Sequence, residues 1–189
     1  AGPDSIESGG GPSGDWLVEA SFSSEQLADG IEYVNDGENL TIDMHTDSVD
    51  DADDLNIVGV RVTLTYSEDE TSAGLGCNIP GASNPDPDTI TGTMVHNDHN
   101  TSASGQNSGA GPSSHLVVVE WYNASMTGNV SGVSKSDINN GLDVGDAGLG
   151  AYSLDLTVVV DTGGGVGCSH TDDGEEVEYL VELITLDYT

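Results

Sequence analysis

The sequence predicts an all-β protein built as a sandwich of about eight strands, with long loops and one disulfide. Two observations carry this prediction. Apolar and polar residues alternate over several segments, which is the pattern of strands that turn one face to a core. Glycine, with 26 residues, and short polar residues fill the stretches between these segments, as in strands joined by loops rather than in a helical bundle.

The chain of 189 residues is long enough for one β-sandwich domain with its own core. Residues 1–14 are rich in Gly, Ser and Pro and are predicted to form a flexible linker, so the domain is assigned to residues 15–189. No apolar run reaches the roughly 18 residues of a transmembrane helix, and we expect any membrane contact to be made through an anchor outside this chain.

The last part of the chain carries the clearest strand signals. Tyr152–Val160 alternates, and Val177–Tyr188 is apolar on both faces, which is typical of a central strand. If the core does not cover both faces of the second segment, Leu180, Ile184 and Leu186 form an exposed apolar row that contacts another chain. The alternative is a strand that is central in its own sheet and covered by loops.

Six further segments are predicted to be strands on the same grounds, and they are Asp15–Phe22, Ile31–Val34, Leu40–His45, Asn56–Tyr66, Thr89–Val95 and Leu116–Tyr122. Asp36-Gly37, between the second and third of them, predicts a hairpin. Leu116–Tyr122 is almost wholly apolar and is predicted to be buried on both faces.

The connections between these strands are predicted to be irregular. Ser23–Asp29 is compatible with one helical turn that has Ser24 as its N-cap. His96–Ser114 is rich in Gly, Ser and Asn and is predicted to be a long exposed loop, and Asn123–Leu149 is predicted to be a second irregular region.

Charge is the strongest compositional signal. The chain has 34 Asp and Glu residues against two Lys and Arg residues, a net charge of -32. Nucleic acid is excluded as a partner because phosphate binding needs basic side chains, and an anionic membrane surface is disfavoured for the same reason. So acidic a surface repels itself, and molar salt removes most of that repulsion by shortening the Debye length to about 3 Å.

With lysine almost absent and acidic residues dominant, the composition resembles that of proteins from halophilic or marine archaea. Together with the strand pattern, it resembles extracellular Ig-like β-sandwich domains of cell-surface proteins from such organisms. This resemblance implies an Ig-like or jelly-roll-like sandwich. In the immunoglobulin pattern the cysteines lie within strands. Here both cysteines fall in predicted loops, so only the sandwich is carried over from that family.

The two cysteines, Cys77 and Cys168, are predicted to form a disulfide. They lie 91 positions apart (168 minus 77) without a CxxC motif, so they do not form a zinc site of the usual spacing. Pairing fits a secreted β domain, and closing a loop of this length stabilises by roughly 4 kcal/mol in the chain-entropy model. The alternative is two reduced, partly buried thiols.

Two acidic loops are candidate calcium sites, because Ca²⁺ takes about six to eight oxygen ligands and a flexible Asp-rich loop supplies them. The first loop offers Asp47, Asp50, Asp51, Asp53 and Asp54, and the second offers Asp137, Asn139, Asp143 and Asp146. Neither loop matches the EF-hand spacing. The alternative is a solvated acidic face, which this composition produces by chance.

Three of the five histidines, His96, His99 and His115, bracket one predicted loop and are a candidate Cu or Zn site. The alternative is a set of solvent-exposed loop histidines without a metal.

No enzyme signature is present. The sequence lacks a nucleophile elbow, a P-loop, a dinucleotide fingerprint and an HExxH motif, so we expect no catalytic residues and no cofactor other than calcium. Four sequons, at Asn39, Asn100, Asn123 and Asn129, are candidate glycosylation sites.

These features predict a non-catalytic structural or adhesive domain of a salt-adapted cell envelope, located outside the cell or at its surface. We expect it to associate with itself or with other envelope proteins in a surface layer or filament, with calcium bridging its carboxylates. The second hypothesis is a metal-binding module of a transport or redox system that uses the histidine loop.

Overall fold

The chain folds as a β-sandwich in the computed structural model, which describes residues 12–67, 70–78, 86–107, 111–163 and 167–189. Residues 1–11 of the predicted linker lie outside these ranges. Within them, twelve strands form two four-stranded antiparallel sheets and two two-stranded ribbons. The prediction of an all-β sandwich with one disulfide is confirmed, although about eight strands were predicted.

The strands, in chain order, are β1 (Gly14–Val18), β2 (Ala20–Asn35), β3 (Asn39–His45), β4 (Ile57–Tyr66), β5 (Thr71–Ala73), β6 (Thr89–His96), β7 (His99–Gln106), β8 (Ser113–Glu120), β9 (Gly128–Val133), β10 (Ala151–Val159), β11 (Ser169–Thr171) and β12 (Gly174–Tyr188). The described ranges also contain one α-helix, α1, at Lys135–Leu142. The 3-10 helices are Thr46–Ser48, Ala52–Asp54, Leu75–Asn78, Ala124–Met126 and Gly145–Gly148. None of the described helices has the length and apolar character needed to cross a membrane.

The front sheet has the strand order β2-β12-β4-β8, and the back sheet has the order β3-β10-β6-β7. The two ribbons pair β1 with β9 and β5 with β11. The segments with the clearest alternation, β4, β6, β10 and β12, take the central positions. There both backbone edges of a strand are hydrogen-bonded to neighbours and its inward side chains are covered.

The main core lies between the two sheets. Its fully buried aliphatic residues come from the central strands and are Ile57, Val60, Val62, Leu64, Ile90, Met94, Leu154, Leu156, Val158, Val177, Val181 and Leu183. Gly92 on β6 allows the sheets to approach, because a Cβ at this position would lie 2.6 Å from Cδ1 of Leu64. Burying each such side chain contributes about 1.5–3 kcal/mol, so this layer dominates the stability of the fold.

A second, smaller core covers part of the outer face of the front sheet. Ile184, Leu186 and Tyr188 of β12 lie there under α1 and the β1–β9 ribbon, and they pack with Val18, Val58, Val130, Ile138 and Leu142. The predicted exposed row is therefore wrong at Ile184 and Leu186, which are 8% and 1% exposed, while Leu180 is partly exposed. β12 is a central strand, as the alternative interpretation held.

Segment 123–149 covers this part of β12 because it is ordered, not irregular as predicted. It contains β9 and α1, and α1 begins with a capping box in which Ser134 and Asp137 satisfy each other's backbone N–H groups. Ile138 and Leu142, four residues apart, then lie on one face of the helix and reach the sheet. The apolar spacing was too sparse to predict so short a helix.

Ser23–Asp29 is not helical. β2 runs from Ala20 to Asn35 and pairs with β12 along its whole length, with a bulge at Leu27, which lies between the residues paired with Val181 and Glu182. Leu27 points into the main core. Continuous pairing with a central strand outweighs the weak capping signal of Ser24.

Asp36-Gly37 makes a turn, but the turn does not join a hairpin. The N–H of Glu38 donates to the carbonyl of Asn35 at 3.0 Å, and Gly37 has a φ of 71°, which favours glycine. β2 belongs to the front sheet and β3 to the back sheet, so the turn crosses between sheets. β2 pairs with β12 and β3 pairs with β10, and the two flanking strands do not form a ladder with each other.

His96–Ser114 is not one long loop. β7 pairs with β6 through a turn at Asn97 and Asp98 and forms an edge of the back sheet. Cross-strand hydroxyl hydrogen bonds support it, at 2.7 Å between Thr91 and Ser104 and at 3.0 Å between Thr93 and Ser102. Because these contacts are polar, a search for alternating apolar residues could not detect the strand.

β8 is an edge strand, so the prediction that Leu116–Tyr122 is buried on both faces is wrong. Val117 is buried in the main core, whereas Leu116 and Val118 are 53% and 39% exposed on the outer face. Ile31 and Tyr33 of β2 are also exposed at 60% and 47%. The outer face of the front sheet is therefore partly apolar away from the second core.

Arg61 on β4 and Glu182 on β12 form an ion pair on the front sheet. Nε and Nη2 of Arg61 donate to Oε2 of Glu182 at 3.1 and 2.8 Å. These hydrogen bonds lower the pKa of Glu182 below its usual value. The pair therefore stabilises the fold fully above the pKa of this glutamate in the unfolded chain, and its contribution is lost as pH falls through the lower folded-state pKa.

Arg61→Gln is accordingly expected to lower the free energy of unfolding by about 1 kcal/mol near neutral pH, and by clearly less at about pH 3. Urea unfolding of both proteins at both pH values measures this difference. Lys135→Gln is the matched control, because Lys135 lies over the Trp16 ring at 5.2 Å and forms no ion pair with a carboxylate in the described part of the chain. An Arg61→Gln effect of equal size at both pH values would contradict the assignment.

Candidate functional site

The predicted disulfide is present. Cys77, in the 3-10 helix Leu75–Asn78, is bonded to Cys168, which directly precedes β11. Because β5 and β11 lead to these two residues, the bond closes the end of their ribbon. Cys168 is 7% exposed, and no free cysteine remains. A disulfide is compatible with an extracellular location.

The two predicted acidic loops lie side by side. Residues of both, Asp53, Asp54, Asp143 and Asp146, line one shallow depression of about 200 Å³. Asp47, Asp51 and Asp53 line a second depression of about 320 Å³, and Asp50 is exposed. Within the described ranges, no three of these aspartates bring ligand oxygens within 4.8 Å of one another. Calcium ligation by these loops stays a prediction.

Residues of the second loop also have structural roles. Oδ2 of Asp137 accepts hydrogen bonds from the N–H and hydroxyl of Ser134, and these bonds lower the pKa of Asp137. Oδ1 of Asp143 accepts from the N–H of Gly145 at 3.0 Å. The hydroxyl of Tyr188 donates to Oδ1 of Asn139 at 3.4 Å. These oxygens belong to a helix cap, a turn and a core contact.

His96 lies in the core. Its ring stacks on Tyr152 with the centroids 3.9 Å apart. Its Nδ1 and Nε2 lie 2.9 and 2.7 Å from the backbone oxygens of Ala151 and Ala147. Both ring nitrogens are therefore directed at carbonyl groups, and neither is directed at a metal position shared with the other histidines.

His99 and His115 have separate partners as well. The His99 ring stacks on Trp121 at 5.0 Å. Burial lowers the pKa of His115, so its neutral ring donates from Nε2 to Ala103 at 3.1 Å and accepts from the Tyr66 hydroxyl at Nδ1, at 3.0 Å. No described group of three metal-ligating side chains includes any of the three predicted histidines.

Three carboxylates that the sequence did not single out converge at one end of the sandwich. Asp88 directly precedes β6 of the back sheet, Glu175 is the second residue of β12 in the front sheet, and Asp172 lies between β11 and β12. One oxygen of each lies within 4.8 Å of the others. We call Asp88, Asp172 and Glu175 the carboxylate cluster. It lies where both sheets meet the disulfide-bonded ribbon.

Neutral donors orient the carboxylate cluster. Oδ1 of Asp88 accepts from the N–H of Asp161 at 2.7 Å, and Oδ1 of Asp172 accepts from the N–H of Gly174 at 2.9 Å. Asn107 bridges Asp88 and Glu175, since its Oδ1 accepts from the backbone N–H of Asp88 at 2.8 Å and its Nδ2 donates to Oε1 of Glu175 at 2.5 Å. One oxygen of each carboxylate is thereby fixed in direction.

The remaining oxygens of the carboxylate cluster are enclosed within the protein. Asp88 is 1% exposed and Glu175 is 0% exposed. Oδ2 of Asp172 has no exposed surface, and no described group donates a hydrogen bond to it. Such burial of neighbouring carboxylates is costly unless a positive charge or protons offset their charge.

The chain has one arginine and one lysine, and both lie elsewhere. Arg61 binds Glu182, and Lys135 lies over Trp16. The pKa of the nearby Tyr66 phenol is raised above its usual value. Burial is the larger cause, and the negative charge of Glu175 is the second. A bound cation is therefore a chemically suitable counter-charge for the carboxylate cluster.

The geometry of the carboxylate cluster suits a hard cation held by oxygen. Two ligands on one Ca²⁺ ion, each about 2.3–2.6 Å from it, are at most about 5 Å apart, and the oxygens here meet that limit. Three carboxylates leave room for water or backbone oxygens to complete the shell of about six to eight ligands.

One residue of the carboxylate cluster could have been found from the sequence, but the large number of acidic residues in the chain obscured it. Glu175 precedes Val177 by two residues, so the alternation of β12 places it on the core face. An acidic residue at a core position indicates a partner or a site. Asp88 and Asp172 carry no comparable signal, because their approach depends on the meeting of the two sheets.

All four predicted glycosylation sites are exposed. Asn39 begins β3, Asn100 lies in β7, Asn129 lies in β9, and Asn123 lies outside the regular strands. The side chain of Asn123 accepts from the N–H of Ser125 at 3.1 Å and so caps the 3-10 helix that follows.

Comparison with known proteins names no family for this chain. No family model matches it, and no curated protein matches it. One solved structure to which it is similar is that of infectious bursal disease virus Gt strain, at 9% identity and a TM-score of 0.28. The match covers 89% of this chain but 36% of that chain. A similarity this weak supports no statement about relationship or activity.

Proposed function

We propose that this protein is a non-catalytic, extracellular structural or adhesive domain of the cell envelope of a salt-adapted organism, and that a bound calcium ion braces its sandwich at the carboxylate cluster. The observation that carries the proposal is the near-complete burial of Asp88 and Glu175 beside Asp172, in a chain whose one arginine and one lysine lie elsewhere.

A cation at the carboxylate cluster would join three parts of the chain that are distant in sequence. Asp88 belongs to the back sheet, Glu175 to the front sheet, and Asp172 to the segment that follows the disulfide-bonded ribbon. Binding to the folded state alone stabilises that state by mass action. The ion would therefore hold both sheets and the ribbon together at one end of the sandwich, which suits a domain with a mechanical or scaffolding role.

The location and the salt adaptation rest on the disulfide and on the charge. Cys77 and Cys168 are joined, as in proteins of oxidising compartments, and the net charge of -32 requires screening by salt or cations. The resemblance to archaeal cell-surface domains and glycosylation at the four exposed asparagines are parts of the same proposal. No observation in the described structure favours the Cu or Zn alternative.

Assembly with other copies or with other envelope proteins remains part of the proposal. Support for it comes from Ile31, Tyr33, Leu116 and Val118, which leave apolar surface on the outer face of the front sheet. The row in β12 on which the sequence prediction of assembly depended does not contribute, because Ile184 and Leu186 are buried.

Thermal unfolding at constant ionic strength tests the proposed calcium site. At a calcium concentration of about 100 times Kd, the expected stabilisation of about 2.7 kcal/mol raises Tm by about 5–10 °C. Asp172→Asn should lose most of this rise, because Asp172 is the cluster member that is partly exposed and tolerates the change. Asp53→Asn, in the neighbouring acidic loop, is the matched control and should keep the rise.

Two outcomes would contradict the calcium proposal. Equal shifts with Ca²⁺ and Mg²⁺ at matched ionic strength would leave general screening as the cause. A loss of the calcium effect in Asp53→Asn but not in Asp172→Asn would place the ion in the acidic loops.

All variants should gain stability from NaCl, because they keep the high negative charge.

A further inference from the structure

A buried contact between a carboxylate and an imidazole lies beside the disulfide. Nδ1 of His170 contacts Oε1 of Glu70, and both side chains are only 2% exposed. The other ring nitrogen of His170, Nε2, lies 3.3 Å from Sγ of Cys168. A carboxylate, an imidazole and a sulfur are therefore arranged in one line of contacts within the protein.

The β5–β11 ribbon produces this arrangement. Cys168 and His170 are two residues apart along an extended segment, so their side chains point to the same side. Glu70 directly precedes β5, and the pairing of Thr71 with Thr171 brings it opposite the end of β11. The position of each group follows from local strand geometry rather than from a flexible loop.

Stability alone does not account for the Glu70–His170 pair. Burying a carboxylate and an imidazole costs about as much as their mutual attraction returns, and an apolar pair of similar volume stabilises as well or better. The order of carboxylate, imidazole and sulfur is, however, the order found in proteins that activate a thiol. In such arrangements the carboxylate orients the imidazole, and the imidazole stabilises the thiolate.

We infer that the Cys77–Cys168 bond is a site of thiol–disulfide exchange, in which His170 stabilises the Cys168 thiolate and Glu70 orients His170. The co-reactant is a dithiol, such as the reduced active site of a disulfide oxidoreductase. The inference goes beyond the proposed structural role and does not depend on a bound cation.

The direction of the exchange follows from the position of His170. A thiolate of the dithiol attacks Sγ of Cys77, forms a mixed disulfide there, and expels the Cys168 sulfur as a thiolate that accepts a hydrogen bond from Nε2–H of His170. The second thiol of the dithiol, as its thiolate, then attacks the mixed disulfide. It leaves oxidised as a cyclic disulfide, and Cys77 and Cys168 remain as two reduced thiols. The same steps in reverse oxidise the pair.

Access favours attack at Cys77. Cys168 is 7% exposed and has His170 against its sulfur, whereas Cys77 is partly exposed and follows Leu75, which is 92% exposed. The sulfur that leaves is therefore the buried one, next to the group that stabilises it. A stabilised leaving thiolate accelerates exchange.

Reduction by dithiothreitol in the presence of a chelator tests the inference. Free thiols are alkylated at successive times and counted by mass spectrometry. His170→Ala is expected to be reduced about tenfold more slowly than the wild type, which is the effect of losing one hydrogen bond to a charged group. His45→Ala is the matched control, because the His45 side chain is 50% exposed and distant in sequence from the cysteines, and it should not change the rate.

A second measurement on the unaltered protein guards against a structural effect of the substitution. With the monothiol glutathione, peptide mapping of the trapped mixed disulfide should place it on Cys77, with Cys168 free to be alkylated. A mixed disulfide mainly on Cys168 would overturn the inference, and so would a His170→Ala rate equal to that of the wild type. Neither result would bear on calcium binding at the carboxylate cluster.

Discussion

Replacing Ile184 with aspartate is expected to unfold the domain in moderate salt. Ile184 is 8% exposed, and its Cδ1 lies over Gly59 of β4, where a Cβ would approach it to 3.2 Å. Losing the apolar contacts costs about 2–5 kcal/mol, and an unpaired carboxylate in the same place adds several more. The total approaches the 5–15 kcal/mol that stabilises a typical domain.

Circular dichroism and analytical ultracentrifugation distinguish the two roles of this residue. A core position predicts loss of the β-sheet signal in Ile184→Asp, whereas an interface position predicts a folded variant that no longer associates. Leu116→Asp is the control, because Leu116 is 53% exposed on edge strand β8 and the variant should stay folded. A folded Ile184→Asp protein would contradict the second core described above.

Removal of the disulfide has the second large effect. The bond joins residues 91 positions apart, and the chain-entropy model gives a stabilisation of about 4–5 kcal/mol for a loop of this length. The double variant Cys77→Ala and Cys168→Ala should lose about this much free energy of unfolding in urea. The double variant is preferable to a single one, because no unpaired thiol remains to form cross-links.

The control for this comparison is the same pair of proteins at high NaCl, where repulsion in the folded state is screened. Salt should raise the stability of both proteins and leave the difference between them nearly unchanged, because the disulfide acts mainly by lowering the entropy of the unfolded chain. A loss below about 1 kcal/mol would mean that the ribbon β5–β11 holds its geometry without the covalent bond.

The sequence predicted those strands whose inward residues are apolar. β4, β6, β10 and β12 were all located to within three residues at each end, and all four are central strands. Apolar alternation reports burial, and burial is greatest at the centre of each sheet. The same reasoning failed for β7, whose Ser, Thr and Asn side chains make cross-strand hydrogen bonds at an edge.

The partners of each strand could not be predicted. Asp36-Gly37 has the local sequence of a hairpin turn, yet it links strands of opposite sheets. Leu116–Tyr122 has the composition of a doubly buried strand, yet β8 is an edge strand. Local patterns describe how a segment meets its own neighbours in the chain, whereas sheet position depends on contacts between distant segments.

The candidate site shows the same limit. The sequence drew attention to runs of aspartate, which the structure places on the surface in helix caps, turns and shallow depressions. The carboxylate cluster instead joins three acidic residues that are separated by up to 87 positions (175 minus 88) and are brought together only by the fold. Of the three, Glu175 alone had a position in a strand pattern that indicated burial.

Anomalous scattering from crystals soaked in calcium tests the central claim most directly, because it locates the ion. A calcium ion at the proposed site should give a difference peak enclosed by Asp88, Asp172 and Glu175, about 2.3–2.6 Å from one oxygen of each. The peak should persist at high NaCl, where weakly held surface ions are displaced. An empty carboxylate cluster, with peaks only between Asp53 and Asp143 on the surface, would contradict it.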